Sequence, residues 1–79
     1  MKAVINIKLK DGILDPAGKA VLQALKSKGN KDIKDVRIGK QIVLELDPAT
    51  DKESAKAALK KACEEFLANT VVEEYEIVL

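Results

Sequence analysis

Apolar and polar residues alternate along residues 3–9. Ala3, Ile5, Ile7 and Leu9 fall on one side and Val4, Asn6 and Lys8 on the other, the period of a half-buried strand. The period then lengthens. Asp11-Gly12 is a turn signal, Asp15 can cap a helix with its carboxylate, and Pro16 suits the first helical position. Ala17, Ala20, Val21, Ala24 and Leu25 recur at helical spacing, and Gly29 stands where a left-handed terminating residue is expected. Residues 33–40 read as a second strand and 41–47 as a third, with a hairpin turn at Gly39-Lys40-Gln41; Pro48 ends the third. Thr50-Asp51-Lys52-Glu53 has the spacing of a capping box. Ala55, Ala58, Leu59, Ala62, Cys63 and Phe66 then mark a second amphipathic helix reaching about Ala68, capped by Asn69. A β-rich stretch over 71–79 closes the chain.

The order β-α-β-β-α-β predicts an α+β fold: a two-layer sandwich with a four-stranded antiparallel sheet and both helices on one face, the ferredoxin-like plan. A sheet covered on one face normally shows polar residues on the other. Here Val4, Val43, Val72 and Val78 occupy positions opposite the core set. They are candidates for self-association; scattered surface valines are the plain alternative. With 79 residues the chain is expected to form one domain, 1–79, with a small core, so a second buried surface would add materially to its stability.

Composition narrows the chemistry. Fourteen basic residues face thirteen acidic ones, a formal charge of +1, so no net field draws in nucleic acid or an anionic membrane. The sheet of an RNA-binding domain stacks bases on aromatic side chains, and only Phe66 (placed in the helical core) and Tyr75 are present. The N-terminal stretch lacks a signal-peptide pattern, no run approaches a membrane span, and a lone cysteine fits a reducing compartment; a cytoplasmic protein is expected. No histidine is available to activate Cys63, which sits on the apolar face of a helix and reads as a buried structural thiol. Glu64-Glu65 and Glu73-Glu74-Glu76 lack a calcium-loop pattern, and no metal or cofactor site is expected. Arg37 is the only arginine, a planar fork for carboxylate or phosphate, and either a polar interface contact or a solvated strand residue.

Three segments go beyond topology. LKDGILDPAGKAV at 9–21, VRIGK at 36–40 and LANTVVEEYEI at 67–77 closely resemble the PurS family, the small subunit of phosphoribosylformylglycinamidine synthase. The resemblance covers essentially the whole chain. Thr70 stands where the family usually has proline, and Glu74 where aspartate is common.

What the resemblance implies is a non-catalytic subunit of an ATP-dependent ligase and glutamine amidotransferase complex in purine biosynthesis. Such a chain pairs with itself as a homodimer or higher oligomer. It helps a glutaminase subunit and a large synthetase subunit associate, and helps ammonia pass between them. The complex would use ATP and magnesium, with no cofactor on this chain. Asp11, Gly12, Asp15, Arg37 and Lys40 match the family's motifs and are candidates for contact with the larger subunits, although turn, cap and hairpin roles account for several of them. A free-standing small-molecule-sensing domain of the ACT type, which shares the topology, is the alternative.

Overall fold

In the computed structural model, which describes residues 1–79, the chain runs β1 (Lys2–Leu9), α1 (Pro16–Ser27), β2 (Gly39–Glu45), α2 (Lys52–Ala62), a π-helical turn over Cys63–Leu67, and β3 (Glu73–Val78). The three strands form an antiparallel sheet in the order β2-β1-β3. The apolar alternation puts Ala3, Ile5 and Ile7 of the central strand on one face, where they pack with Leu59, Cys63 and Ala68 in a single cluster. Ile5 and Cys63 are completely buried. A fully buried aliphatic side chain of this kind contributes about 1.5–3 kcal/mol. Ile42 and Leu44 from β2 and Leu46 just beyond it, with Tyr75 and Ile77 from β3, pack around that cluster and remain only partly covered.

Four expectations are corrected here. The sheet has three strands, not four: residues 33–38 join no ladder, and β2 runs unbroken through Gly39-Lys40-Gln41, where a hairpin was expected. The cause is that the Ile38 N–H is taken by the Asp15 carboxylate at 2.8 Å, and Arg37 is turned onto the loop after β1. The cap of α2 is Asp51, which accepts from the Ser54 N–H at 3.0 Å, not Thr50. Phe66 does not enter the core; it is 73% exposed. The Ala68 N–H reaches back five residues to the Cys63 carbonyl, and this wider turn rotates Phe66 outward while Leu67 takes the half-buried position.

The fourth correction concerns the layers. Only α2 lies on the sheet. Helix α1 contributes nothing to the core cluster, and Gly18 is its only buried residue. The molecule measures 49 × 25 × 14 Å with a radius of gyration of 16.0 Å; a compact chain of this length would have about 12 Å. The fold is therefore a small body, made of the sheet and α2, with an arm formed by α1 and the segment that follows it.

Candidate partner-binding surface

The arm meets the body at a polar joint built from two distant stretches, 9–18 and 36–39. Asp15 is the N-cap of α1: its backbone is extended, and one carboxylate oxygen accepts from the Gly18 N–H at 2.9 Å. The other accepts from the Ile38 N–H at 2.8 Å, tying the helix start to the beginning of β2. Those two backbone donors, and then the Arg37 charge, hold the Asp15 carboxyl below its usual range even though the group is buried. Arg37 closes the joint from the other side. Its guanidinium donates to the carbonyls of Ile13 at 2.9 Å, Lys10 at 2.8 Å and Leu9 at 3.3 Å. A lysine could not span these carbonyls, since the planar fork sets the spacing.

Two glycines make this approach possible. A Cβ on Gly18 would run into the Val36 carbonyl oxygen, so the α1 backbone lies directly against the crossing segment. Gly12 turns the chain after β1 with φ +86°, a conformation in which a side chain is strained. Asp11 is exposed beside it, and Lys40 stands apart on β2, 3.9 Å from Glu73. Asp15, Gly12 and Arg37 thus converge on one structure, bordering a shallow hollow of about 320 Å³.

The sheet face turned away from α2 divides into two zones. Val4 pairs with Val43 on one side and Val78 on the other, forming a row across all three strands. Val43 is 55% exposed and Val78 49%. Val72 is not in the row. It lies in the turn before β3, beyond the other end of β1, where its carbonyl accepts from the Lys10 N–H at 2.9 Å. The second zone is polar: Gln41 donates to Asn6 at 3.0 Å, Asn6 donates to Glu76 at 2.9 Å, and Lys8 pairs with Glu74 at 3.3 Å. These residues border a shallow depression of about 660 Å³. The cross-strand network was missed in the sequence because nothing in it fixes which residues stand opposite Asn6. For Gly18 a signal existed: a glycine inside the first turn of a helix needs a packing reason.

Reactive chemistry is sparse. Burial pushes the Cys63 thiol up, with Glu64 adding to the effect, and so disfavours the thiolate. Tyr75 donates to Glu64 at 2.8 Å, and this hydrogen bond, followed by desolvation, raises its pKa. No three acidic or thiol side chains gather where they could hold a metal ion.

The family model for PurS, described as phosphoribosylformylglycinamidine (FGAM) synthase, matches residues 2–79. The chain belongs to the PurS family. It is 41% identical over 76 residues to the phosphoribosylformylglycinamidine synthase subunit PurS of Thermotoga maritima, covering 96% of this chain and 92% of the relative. To the corresponding subunit of Bacillus subtilis it is 40% identical over 74 residues, covering 94% and 86%. Among solved structures it resembles PurLQS from Thermotoga maritima, with a TM-score of 0.86, 40% identity, and coverage of 98% of this chain and 93% of that one. It also resembles PurS of Methanocaldococcus jannaschii, one of the subunits of formylglycinamide ribonucleotide amidotransferase, with a TM-score of 0.84, 35% identity, and coverage of 98% and 92%. The LKDGILDPAGKAV and VRIGK segments that suggested PurS membership are the two halves of the polar joint.

Proposed function

We propose that this PurS-family chain is the small, non-catalytic subunit of phosphoribosylformylglycinamidine synthase, an ATP-dependent ligase of purine biosynthesis. On this reading it works by holding the complex together. PurS-family membership over residues 2–79 carries the proposal. The residues agree with it: Cys63 is buried with its thiol held protonated, and no histidine exists to serve as a base. Catalysis would reside in the large synthetase and glutaminase subunits, which supply the ATP and magnesium site and the ammonia.

Geometry supports the finer assignments. Self-association is assigned to the Val4–Val43–Val78 row, an apolar strip on an otherwise polar sheet face. Asp11, Lys40 and the outer side of the Asp15–Arg37 joint are assigned to contact with the larger subunits, with Val72 left beside the joint, outside the row. Holding the glutaminase against the synthetase has a chemical motive. Ammonia released into neutral water is largely protonated, and ammonium is not a nucleophile, so a tight assembly protects the ammonia in transit.

Reconstitution tests the proposal. Glutamine-dependent formation of the amidine by the two larger subunits should depend on added chain, whereas activity driven by high external ammonium should depend on it much less. Equal glutamine-dependent rates with and without the chain would refute the scaffold role.

A further inference from the structure

Of the six aspartates in the chain, only Asp11 is followed by glycine. The pair lies in the turn after β1, with both residues exposed. Nothing crowds it: no atom lies within 4 Å of the place a Gly12 Cβ would take. Neither the Gly12 N–H nor the Asp11 carboxylate enters a hydrogen bond, and Asp11 belongs to no ion pair. A carboxyl group and the next amide nitrogen are thus both unengaged, and no side chain on Gly12 obstructs their approach.

The other aspartates are worse placed. Asp15 and Asp47 precede proline, whose nitrogen carries no proton. Asp32 and Asp35 precede the β-branched Ile33 and Val36, which crowd the nitrogen. Asp51 is held as the cap of α2 by the N–H and the hydroxyl of Ser54, both at 3.0 Å.

We propose that Asp11-Gly12 is a site of spontaneous backbone modification, isomerising to isoaspartate, and that the change releases Arg37 from the polar joint. The Gly12 nitrogen bonds to Cγ of the protonated Asp11 carboxyl, and the proton of that nitrogen leaves with the carboxyl hydroxyl as water. Water then adds to the cyclic imide. Opening at Cγ restores aspartate. Opening at the main-chain carbonyl routes the chain through the Asp11 side chain and leaves the former backbone carbonyl as a free carboxylate. The mass is unchanged and no further reactant is consumed.

The position makes the product matter. The Ile13 N–H closes the turn on the Lys10 carbonyl at 3.1 Å, and Arg37 grips the carbonyls on either side of the pair, Lys10 at 2.8 Å and Ile13 at 2.9 Å. A methylene added between residues 11 and 12 alters a spacing that the planar guanidinium fork fixes. The new carboxylate also competes for the guanidinium as a charged acceptor, stronger than a neutral carbonyl. This chemistry is independent of the subunit role.

Ageing of the full chain in warm neutral buffer, followed by peptide mapping, is the test. Isoaspartate should accumulate at Asp11 with no change in mass, which separates it from deamidation at Asn30 or Asn69, and should be absent from Asp11→Ser. A folded chain that stays unconverted while the same chain in urea converts overturns the site, because the fold then shields it. In the purified isoaspartate form, amide exchange should be about tenfold faster at Ile13, Gly18 and Ile38, with Ile5 and Ile7 still protected. The aged Asp11→Ser chain should exchange like fresh protein. An isoaspartate form that also exchanges like fresh protein, or that loses protection at Ile5 and Ile7 as well, overturns the release of the joint.

Discussion

The sheet core and the polar joint hold β1 by different means. Along residues 3–7 every second side chain disappears beneath α2, and the stabilisation comes from removing apolar surface from water, which is indifferent to pH and tolerant of small shifts. Past Leu9 the chain is fixed by a carboxylate and a guanidinium bonded to backbone groups far away in sequence. These bonds are directional and demand bare backbone at Gly18. The core thus makes the body, and the joint decides where the arm points. In a chain with so little interior, position is set by a few polar bonds and not by bulk burial.

The largest test of this division is Leu59→Ala, which removes the one large aliphatic side chain that α2 buries against the sheet and should cost about 2–5 kcal/mol. The urea midpoint should fall for the whole molecule, arm and body together. Gly18→Ala should follow. At an ordinary helical position this change is favourable by up to about 1 kcal/mol, but here the new Cβ meets the Val36 carbonyl, so a net loss of about 1–3 kcal/mol is expected. A gain in melting temperature would show that the joint is looser than described.

Arg37→Lys should be milder, on the order of 1 kcal/mol, because the guanidinium is half in water and part of its bonding is replaced by solvent. Amide exchange should accelerate at Ile38 and around the start of α1 while Ile5 and Ile7 stay protected. Equal acceleration at both would make joint and core one cooperative unit and dissolve the comparison.

The next difference emerges only in acid. The Asp15 pKa is lowered by folding, so its contribution is fully present above the unfolded value of about 4 and is lost as pH falls through the lower folded value. Stability measured from pH 6 downward should decline below about pH 4. In Asp15→Asn that part of the decline should be absent. A parallel pH profile in the variant would remove Asp15 from the joint's energetics. Smallest of all for stability is Val43→Thr, expected within about 0.5 kcal/mol because the side chain is 55% exposed. Its effect should fall on self-association, read by sedimentation.

Much of the local structure was legible in advance. Asp15 caps α1, Pro16 follows it, and Gly12 and Gly29 both adopt positive φ, because capping and turn chemistry act within a few residues. The end of α2 was less legible: the helical stripe runs to Phe66, and no residue in it announces the π turn that rotates Phe66 into water. Of the candidate contact residues, Asp15 and Arg37 stood out as a cap and a lone arginine, but their shared target did not. It depends on backbone carbonyls and an N–H that carry no mark in the sequence.

By itself the sequence determined PurS membership, the alternation that buries Ala3, Ile5 and Ile7, the two helices, and the Asp15 cap of the first. These rest on periodicity and on interactions between near neighbours. Only the tertiary structure decided that the region before Gly39 would leave the sheet, that Val4, Val43 and Val78 would align while Val72 would not, and that α1 would stand away from the core. Each of these depends on which distant backbone groups meet. In this chain the bonds of Asp15 and Arg37 to those groups outweigh the pull of a modest apolar stripe.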